Sequence, residues 1–436
     1  MKQIKIWTMC VALLFLASTV AIAFMAAPSD ASPGQANNLL NEENKACTCF
    51  IAAGTGSATG EVIASKNRDL QQVQVMKFVD PDERYSYIGS MTNKAPGISQ
   101  GLNEMGLSIG HTWMPVSGYD YDGYSPFMVN QLVMEMCANV AEAIELIDNL
   151  PKREGATYMV ADNEMAAFVE TVPTIYSPDI AVEIVQDGVS YHTNHYLYEP
   201  FYSWVIEDGF SYMWTPSYSR YDRAAELVAE AEYVLTPELV ISFCRDIENF
   251  GNAKPNELKA AHPEVPSSVW VNGWPGFSIC NTRTVSTSVF VMDNDYPGLL
   301  STMWMSIYNP CYCTFVPMHN AMLKGVDLAN SELEMYTDGS AWRTAAKLRD
   351  SNCYDWGEIV PELEAWESDA MTANSEAEDL AIALIEAGMV EEAAELLTES
   401  DIGLALDAID FLISLSTCAC DVFAVAWNEA IAKTQK

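Results

Sequence analysis

Short stretches in which apolar and polar residues alternate recur through the first three quarters of the chain, and this pattern predicts β-strands. Several of them flank turns rich in Gly, Asp or Asn, which predicts hairpins. The predicted pairs are 49–53 with 61–65, two strands within 98–113, 158–160 with 167–172, and 180–185 with 189–193. Further strands are predicted at 278–292, 300–307 and 313–316.

Other stretches carry apolar residues at helical spacing, which predicts α-helices. The predicted helices are 127–150, 219–234 and 237–249, followed by 375–387, 390–397 and 404–415. Strand pairs and helices thus share the region 47–320, and a helical C-terminal region follows at 321–436. The pattern predicts an α+β fold with a helical extension.

The first residues differ from all that follows. Two lysines precede an almost unbroken apolar run at 6–22 and a small residue, Ala23, which is typical of a secretory signal peptide. An uncleaved membrane anchor stays open, because the run approaches the length that spans a bilayer. Residues 24–46 are rich in Pro, Ser and Asn without periodicity, which predicts a pro-segment or linker. We expect the protein to be secreted or otherwise extracytoplasmic.

Charge narrows the classes of partner. The 60 Asp and Glu residues against 22 Lys and Arg give a net charge of −38. Binding of DNA or RNA needs a basic face, and so does docking on anionic lipid, so neither nucleic acid nor an anionic membrane surface is an expected partner.

The 11 cysteines suit an oxidising compartment, in which disulfides form. Three Cys-x-Cys pairs occur, at Cys47/Cys49, Cys311/Cys313 and Cys418/Cys420. Their spacing is shorter than zinc sites usually have, and only five histidines are present, so no metal site is predicted. Spacing alone leaves the disulfide pairing open.

Cys47 stands where the pro-segment meets the first predicted strand. If the chain is cut between Ala46 and Cys47, the new α-amino group has a pKa near roughly 8 and can take the proton of its own thiol. A Cys–His dyad with one of the five histidines is the other way to activate this thiol, and Cys49 is an alternative nucleophile.

Five motifs then follow in order. They are Cys47-Thr48-Cys49-Phe50, Lys66-Asn67-Arg68-Asp69, Gly101-Leu102-Asn103-Glu104-Met105-Gly106, His192-Thr193-Asn194-His195 and Ser219-Arg220-Tyr221-Asp222-Arg223. From Cys47 onward the chain resembles the cysteine N-terminal-nucleophile (Ntn) hydrolases. The likeness is to the acyl-CoA:6-aminopenicillanic acid acyltransferase family (peptidase C45), penicillin V acylases and bile salt hydrolases. The segment 304–317 and the pair Trp366-Glu367 look more like the C69 dipeptidases.

The resemblance implies a four-layer αββα sandwich and no cofactor. It implies cleavage before Cys47, an amide hydrolase or acyltransferase acting on a linear amide or peptide, and an acyl-enzyme on the Cys47 sulfur. Implied catalytic partners are Asp69 near the α-amine, Asn194 at the oxyanion and Arg220 beside the thiol. Implied supporting residues are Lys66, Arg68, Trp113 and His195.

Two alternatives stay open. The first is a C69-type dipeptidase on the same fold. The second is a non-catalytic secreted binding or surface protein, because Lys66 stands where several relatives carry Arg, and Lys does not reproduce a bidentate Arg contact. Substrate identity and oligomeric state are open as well.

Overall fold

The computed structural model describes residues 46–70, 72–92, 95–116, 118–205, 207–248, 278–281, 283–324, 339–350 and 356–434. Side chains are described outside 207–215, 340, 342, 347, 349–350, 356–358 and 416–434. The predicted signal peptide 1–23 and the pro-segment 24–46, except for Ala46, lie outside these ranges. Their cleavage and the boundary at 320 stay predictions.

Twelve strands lie within the described residues. They are β1 (Ala46–Ala53), β2 (Val62–Asp69), β3 (Gln74–Val79), β4 (Tyr87–Thr92), β5 (Gln100–Asn103), β6 (Ser108–Trp113), β7 (Ala156–Ala161), β8 (Ala166–Thr171), β9 (Ile180–Val185), β10 (Gly188–His192), β11 (Thr284–Met292) and β12 (Thr302–Ser306). They form two antiparallel sheets, with the orders β10-β1-β2-β11-β12 and β3-β4-β5-β6-β7-β8-β9.

Eight α-helices accompany the strands in the described part of the chain. They are α1 (Pro126–Met136), α2 (Val140–Asn149), α3 (Glu207–Glu230), α4 (Pro237–Cys244), α5 (Pro297–Leu300), α6 (Ser340–Asp350), α7 (Trp356–Glu386) and α8 (Val390–Thr434). Short 3-10 helices occur at Gly54–Gly56, Glu199–Trp204 and Asn320–Leu323.

Alternation along the strands assigns each side chain to one of the packed layers. In β1, Cys49 and Ile51 pack between the sheets against Phe168 of β8, whereas Phe50 packs on the opposite face with residues of α3 and α4. The outer face of the seven-stranded sheet packs on α1 and α2, for example through Tyr158. The order helix, sheet, sheet, helix confirms the predicted αββα sandwich.

The predicted helix at 127–150 was wrong in one respect, because it is two helices. Cys137 is extended and ends α1. Asn139 then caps α2 by accepting a hydrogen bond from the backbone N–H of Glu142. The apolar spacing continues from one helix into the next and so does not reveal where the first ends. The capping residue Asn139 marks the start of the second helix.

The predicted hairpin at 180–193 was also wrong. β9 pairs with β8, but β10 pairs with β1, so the chain crosses from one sheet to the other between them. Asp187 fixes the crossing by accepting from the backbone N–H of Thr55 at 2.8 Å. Gly188 adopts φ 95, a left-handed conformation that glycine adopts without strain. The predicted strand 313–316 contributes an isolated bridge between Met305 and Val316.

The helical C-terminal region is confirmed, and two buried ionic contacts hold it on the sandwich. Arg245, just after α4, donates two hydrogen bonds of 2.5 Å to the carboxylate of Glu367 on α7. His319 contacts Asp401 of α8 through Nδ1 at 2.9 Å and Glu378 of α7 through Nε2 at 3.0 Å. Within the described ranges, no helix is long and apolar enough to cross a membrane.

The His319 contact is sensitive to pH. Burial lowers the pKa of the imidazolium, but the charges and hydrogen bonds of Asp401 and Glu378 outweigh burial and raise that pKa to about 10. We predict that Asp401→Asn lowers the free energy of unfolding by about 1–3 kcal/mol, because the variant removes one of the two carboxylates that balance the buried imidazolium and leaves Glu378 as the other. Urea denaturation followed by circular dichroism measures the change.

Asp410→Asn is the matched control, since Asp410 is exposed on the same helix and loses the same charge. It should change the free energy by no more than about 0.5 kcal/mol. The His319 contribution is complete below pH 6.5, the ordinary histidine pKa, and is lost as the pH rises through about 10. A destabilisation that is the same at pH 6.5 and pH 10 would contradict this account.

Candidate active site

Cys47 lies near the start of β1 with its side chain on the face between the two sheets. It is 7% exposed. Its register partner on β2 is Arg68, and Ala46 is paired with Asp69. The bond that the sequence marks for cleavage, between Ala46 and Cys47, therefore lies at the end of a paired strand beside two residues of the predicted site.

Asn194 holds the backbone of Cys47. The Cys47 N–H donates to Asn194 Oδ1 at 2.8 Å, and Asn194 Nδ2 donates to the carbonyl oxygen of Trp113 at 2.8 Å. Asn194 follows β10, and Trp113 ends β6 in the other sheet, so this one side chain links both sheets next to Cys47. Trp113, one of the implied supporting residues, contributes its backbone carbonyl oxygen here.

Arg220, on α3, fixes the same group from the helical side. Its guanidinium donates to the carbonyl oxygen of Cys47, to Thr48 Oγ1 at 2.9 Å and to Asn194 Oδ1 at 2.7 Å. The side chain is only 1% exposed. A guanidinium stays charged in proteins and presents several donors in one plane, so it orients the three acceptors together.

Sequence reasoning missed Ser217, which positions Asn194. Ser217 Oγ accepts from the backbone N–H of Asn194 at 2.8 Å and lies 2.9 Å from Nδ1 of His195. It also lies 2.8 Å from Thr193 Oγ1. Ser217 stands three residues before Arg220 on one helical face, and that spacing was the signal that could have identified it. His195 belongs to this hydroxyl network and stacks on Tyr218 at 4.2 Å.

His192 lies in a separate buried contact. Its Nε2 is 2.8 Å from Glu170 Oε1, and its Nδ1 is 2.9 Å from the carbonyl oxygen of Thr193. The Glu170 carboxylate also accepts from the backbone N–H groups of Leu197 and Tyr198. His192 and Glu170 thus fix the two ends of the loop that carries Asn194.

Asp69 lies on the opposite face of the sheet from the thiol. Its Oδ1 accepts a hydrogen bond from Thr284 Oγ1 at 2.7 Å. Burial raises the pKa of the carboxyl, and the positive charge of Arg220 opposes that rise. The structure therefore brings Asp69 within electrostatic reach of Arg220, while the Cys47 N–H donates to Asn194.

Lys66 and Arg68 point between the sheets on the same face as Cys47. Lys66 Nζ donates to the carbonyl oxygen of Ser99 at 2.9 Å. Arg68 Nη2 donates to Thr92 Oγ1 at 2.7 Å, and its guanidinium lies 5.1 Å from the ring centroid of Phe127. Both side chains are buried.

Lys66 and Arg68 bring positive charge into the buried site, although burial disfavours their charged forms. Loss of hydration lowers the pKa of Lys66 to about 8 and that of Arg68 to about 10, and negative charge on Cys47 opposes both shifts. Burial also lowers the pKa of Arg220, against the charges of Asp69 and Cys47. A thiolate at Cys47 would add a negative charge among three buried cations, which is the environment that stabilises a reactive cysteine.

Cys49 has different surroundings, although it follows two residues later on the same face. Burial raises the pKa of its thiol far above the ordinary value. Cys49 therefore stays a neutral thiol that packs in the core between the sheets. Within the described ranges, no cluster of three or more His, Cys, Asp or Glu side chains is arranged to hold a metal ion.

The chain resembles a known family over part of its length. The family model of acyl-coenzyme A:6-aminopenicillanic acid acyl-transferase matches residues 58–254, a little under half of the 436 residues. This segment contains Lys66, Asp69, Asn194 and Arg220 but begins after Cys47. The resemblance predicted from the motifs is confirmed for this segment, and the fold adds Cys47 to it through the contacts with Asn194 and Arg220.

Solved structures of three hydrolases are similar at low identity. Penicillin V acylase from Agrobacterium tumefaciens is 15% identical, with 66% of this chain and 88% of that chain covered and a TM-score of 0.35. The N-acylethanolamine-hydrolyzing acid amidase ortholog of Caenorhabditis elegans is 14% identical, with 58% of this chain and 94% of that chain covered and a TM-score of 0.32. A mutant conjugated bile acid hydrolase from Clostridium perfringens is 13% identical, with 66% of this chain and 94% of that chain covered and a TM-score of 0.34. TM-scores this low support no argument about the site, and no curated protein matches the chain.

The charge of Lys66 gives a prediction about the thiol. We expect Lys66→Met to slow alkylation of Cys47 by iodoacetamide at pH 7 by about tenfold, because the variant loses a buried positive charge that stabilises the reacting thiolate. Peptide mass spectrometry at timed intervals measures the rate at Cys47 alone.

Lys152→Met is the matched control. Lys152 is also buried, but it donates to the carbonyl oxygens of Asp148 and Pro178, which are not part of the site around Cys47. It should leave the rate at Cys47 unchanged. Lys66 loses its proton as the pH rises through about 8, so the difference between the wild type and Lys66→Met should shrink above that pH. Equal rates for the wild type and Lys66→Met at pH 7 would show that Lys66 does not act on the thiol.

Proposed function

We propose that this protein is a cysteine Ntn enzyme, an amide hydrolase or acyltransferase that acts on linear amides through an acyl-enzyme on Cys47. One observation carries the proposal. The backbone of Cys47 is held by Asn194 and Arg220, two buried residues of the segment that matches the acyltransferase family. The backbone groups of a cysteine that only packs in a strand are normally paired with neighbouring strands, whereas here two polar side chains take that place.

The first step in this proposal is cleavage between Ala46 and Cys47, which turns the Cys47 N–H into an α-amino group. Asn194 Oδ1 already accepts from that nitrogen, so it would hold the new amine beside its own thiol. With a pKa near roughly 8, the amine can accept the thiol proton near neutral pH. Asp69, whose strand partner is Ala46, would add a carboxylate near this amine once the leader has gone.

The thiolate would then attack the carbonyl carbon of the amide. Asn194 has two side-chain N–H groups; one donates to Trp113, and we assign the other to the oxyanion that develops. As the C–N bond breaks, the α-ammonium group gives its proton to the leaving amine, and a thioester to Cys47 remains. Attack by water releases the acid, and attack by another amine gives a new amide.

Two properties favour Cys47 over Cys49 as the nucleophile in this proposal. Lys66 and Arg68 lie on the same face as the Cys47 thiol and Arg220 acts on it from the helical side, whereas burial keeps the Cys49 thiol neutral. Only Cys47 gains an α-amino group by cleavage before the first strand. We further propose that residues 1–46 are a signal and pro-segment, so that the active chain begins outside the cytoplasm.

Intact-mass analysis and one substitution test the mechanism. We expect the active protein to begin at Cys47, and Cys47→Ala to lose turnover down to background while it keeps its fold, because the variant has no sulfur to carry the acyl group. Cys137→Ala is the matched control, since Cys137 is a buried cysteine in the core beside α1 and should leave turnover intact. Active protein without a chain that begins at Cys47, or turnover by Cys47→Ala, would rule the mechanism out.

The substrates for this assay should separate the possible activities. Penicillin V, conjugated bile acids and N-acyl amino acids represent acyl amides, and simple dipeptides represent the peptidase alternative. Turnover of acyl amides supports the proposal, whereas turnover confined to dipeptides would identify a dipeptidase. A protein that processes correctly but turns over neither set would favour the non-catalytic alternative.

A further inference from the structure

Two cysteines outside the proposed active site lie unusually close together. Cys280 Sγ and Cys311 Sγ are 3.0 Å apart. Even carbon atoms, which are smaller than sulfur, make their best non-bonded contact at roughly 3.5–4.0 Å. A covalent S–S bond is about 2.05 Å long, so a small adjustment of two side chains would join them.

The surrounding contacts hold both residues in place. The Cys280 N–H donates to the carbonyl oxygen of Asp246 at 2.8 Å. Asn309 Nδ2 donates to the carbonyl oxygen of Asn281 at 2.8 Å, and Asn309 Oδ1 accepts from the Cys311 N–H at 3.1 Å. The Asn309 side chain therefore ties the two loops together beside the sulfur pair.

We propose that Cys280 and Cys311 form a structural disulfide. Two thiols lose two protons and two electrons, and the electrons pass to an incoming disulfide of the glutathione or thiol–disulfide oxidoreductase type, which is reduced to two thiols. One protein thiolate attacks the incoming disulfide and releases its first thiolate, and the second protein thiolate then attacks the resulting mixed disulfide and releases the other. This proposal does not depend on the proposed enzymatic function.

The bond would join two regions that matter for the architecture. Cys280 lies just before Thr284, the hydrogen-bond partner of Asp69. Cys311 follows Pro310, whose carbonyl oxygen accepts from Arg245 at 2.7 Å, and Arg245 is the partner of Glu367 on α7. One covalent bond would thus connect the segment that supports Asp69 to the anchor of the C-terminal helices.

Folding order follows from the burial of the pair. Both side chains are buried in the folded protein, and burial raises the pKa of the Cys280 thiol well above its ordinary value. Exchange needs a thiolate and access to the oxidant, so the bond should form while the chain folds.

Synthesis of the full chain in two cell-free translation mixtures tests the proposal. One mixture contains oxidised and reduced glutathione, and the other contains dithiothreitol. Free thiols are alkylated after acid quenching and denaturation, and peptides are mapped without reduction. We expect peptides with Cys280 and Cys311 to be linked in the glutathione mixture and alkylated in the other. Alkylation of both in glutathione, or linkage of either to a different cysteine, would overturn the proposal.

Cys313→Ala is the matched control, because Cys313 is buried in the same loop as Cys311. This variant should keep the link, and Cys311→Ala should lose it. Protein from the glutathione mixture should melt at a higher temperature than protein from the dithiothreitol mixture, since a cross-link restricts the unfolded chain. The difference should shrink in Cys311→Ala and persist in Cys313→Ala, and an equal difference in both variants would contradict the proposal.

Discussion

The buried guanidinium of Arg220 is the interaction on which the candidate site depends. A guanidinium cannot lose its charge to escape burial, so the fold must surround it with acceptors. Those acceptors are the carbonyl oxygen of Cys47, Thr48 Oγ1 and Asn194 Oδ1, with Asp69 as the carboxylate that acts on it. The start of β1, the loop after β10 and helix α3 are therefore fixed relative to one another by the requirement to satisfy one cation.

Strand alternation places the contacts of the Cys47 sulfur and those of its backbone on opposite faces of the sheet. Its side chain faces the space between the sheets, where Lys66 and Arg68 supply positive charge. Its neighbour Thr48 faces the helical layer, where Arg220 is anchored. Because successive residues of a strand point to opposite faces, the groups that hold the backbone and those that act on the sulfur do not compete for space. A one-residue shift in register would place the sulfur on the wrong face.

The sequence predicted the parts of this site that are encoded locally. The hairpin 49–53/61–65 was predicted because its turn chemistry is local, and Asn194 and Arg220 were implied by the resemblance that short motifs carry. Partner choice is not local: alternation in β10 predicts a strand, but nothing in it indicates that β1, more than a hundred residues earlier, is its neighbour. For the same reason, the helical spacing places Ser217 on the same face as Arg220 but does not reveal its contact with Asn194, and no spacing reveals the closeness of Cys280 and Cys311.

The net charge of −38 and the electropositive site are compatible because they act over different distances. Surface carboxylates separated from the thiol by more than roughly 10 Å are largely screened at 0.1 M salt. Lys66, Arg68 and Arg220 are buried next to Cys47, where screening is weak and the effective dielectric constant is low. The electrostatic field at Cys47 is therefore dominated by these nearby cations and by Asp69. We expect the acidic surface to disfavour polyanions, which is compatible with the small amide substrate of the proposed function.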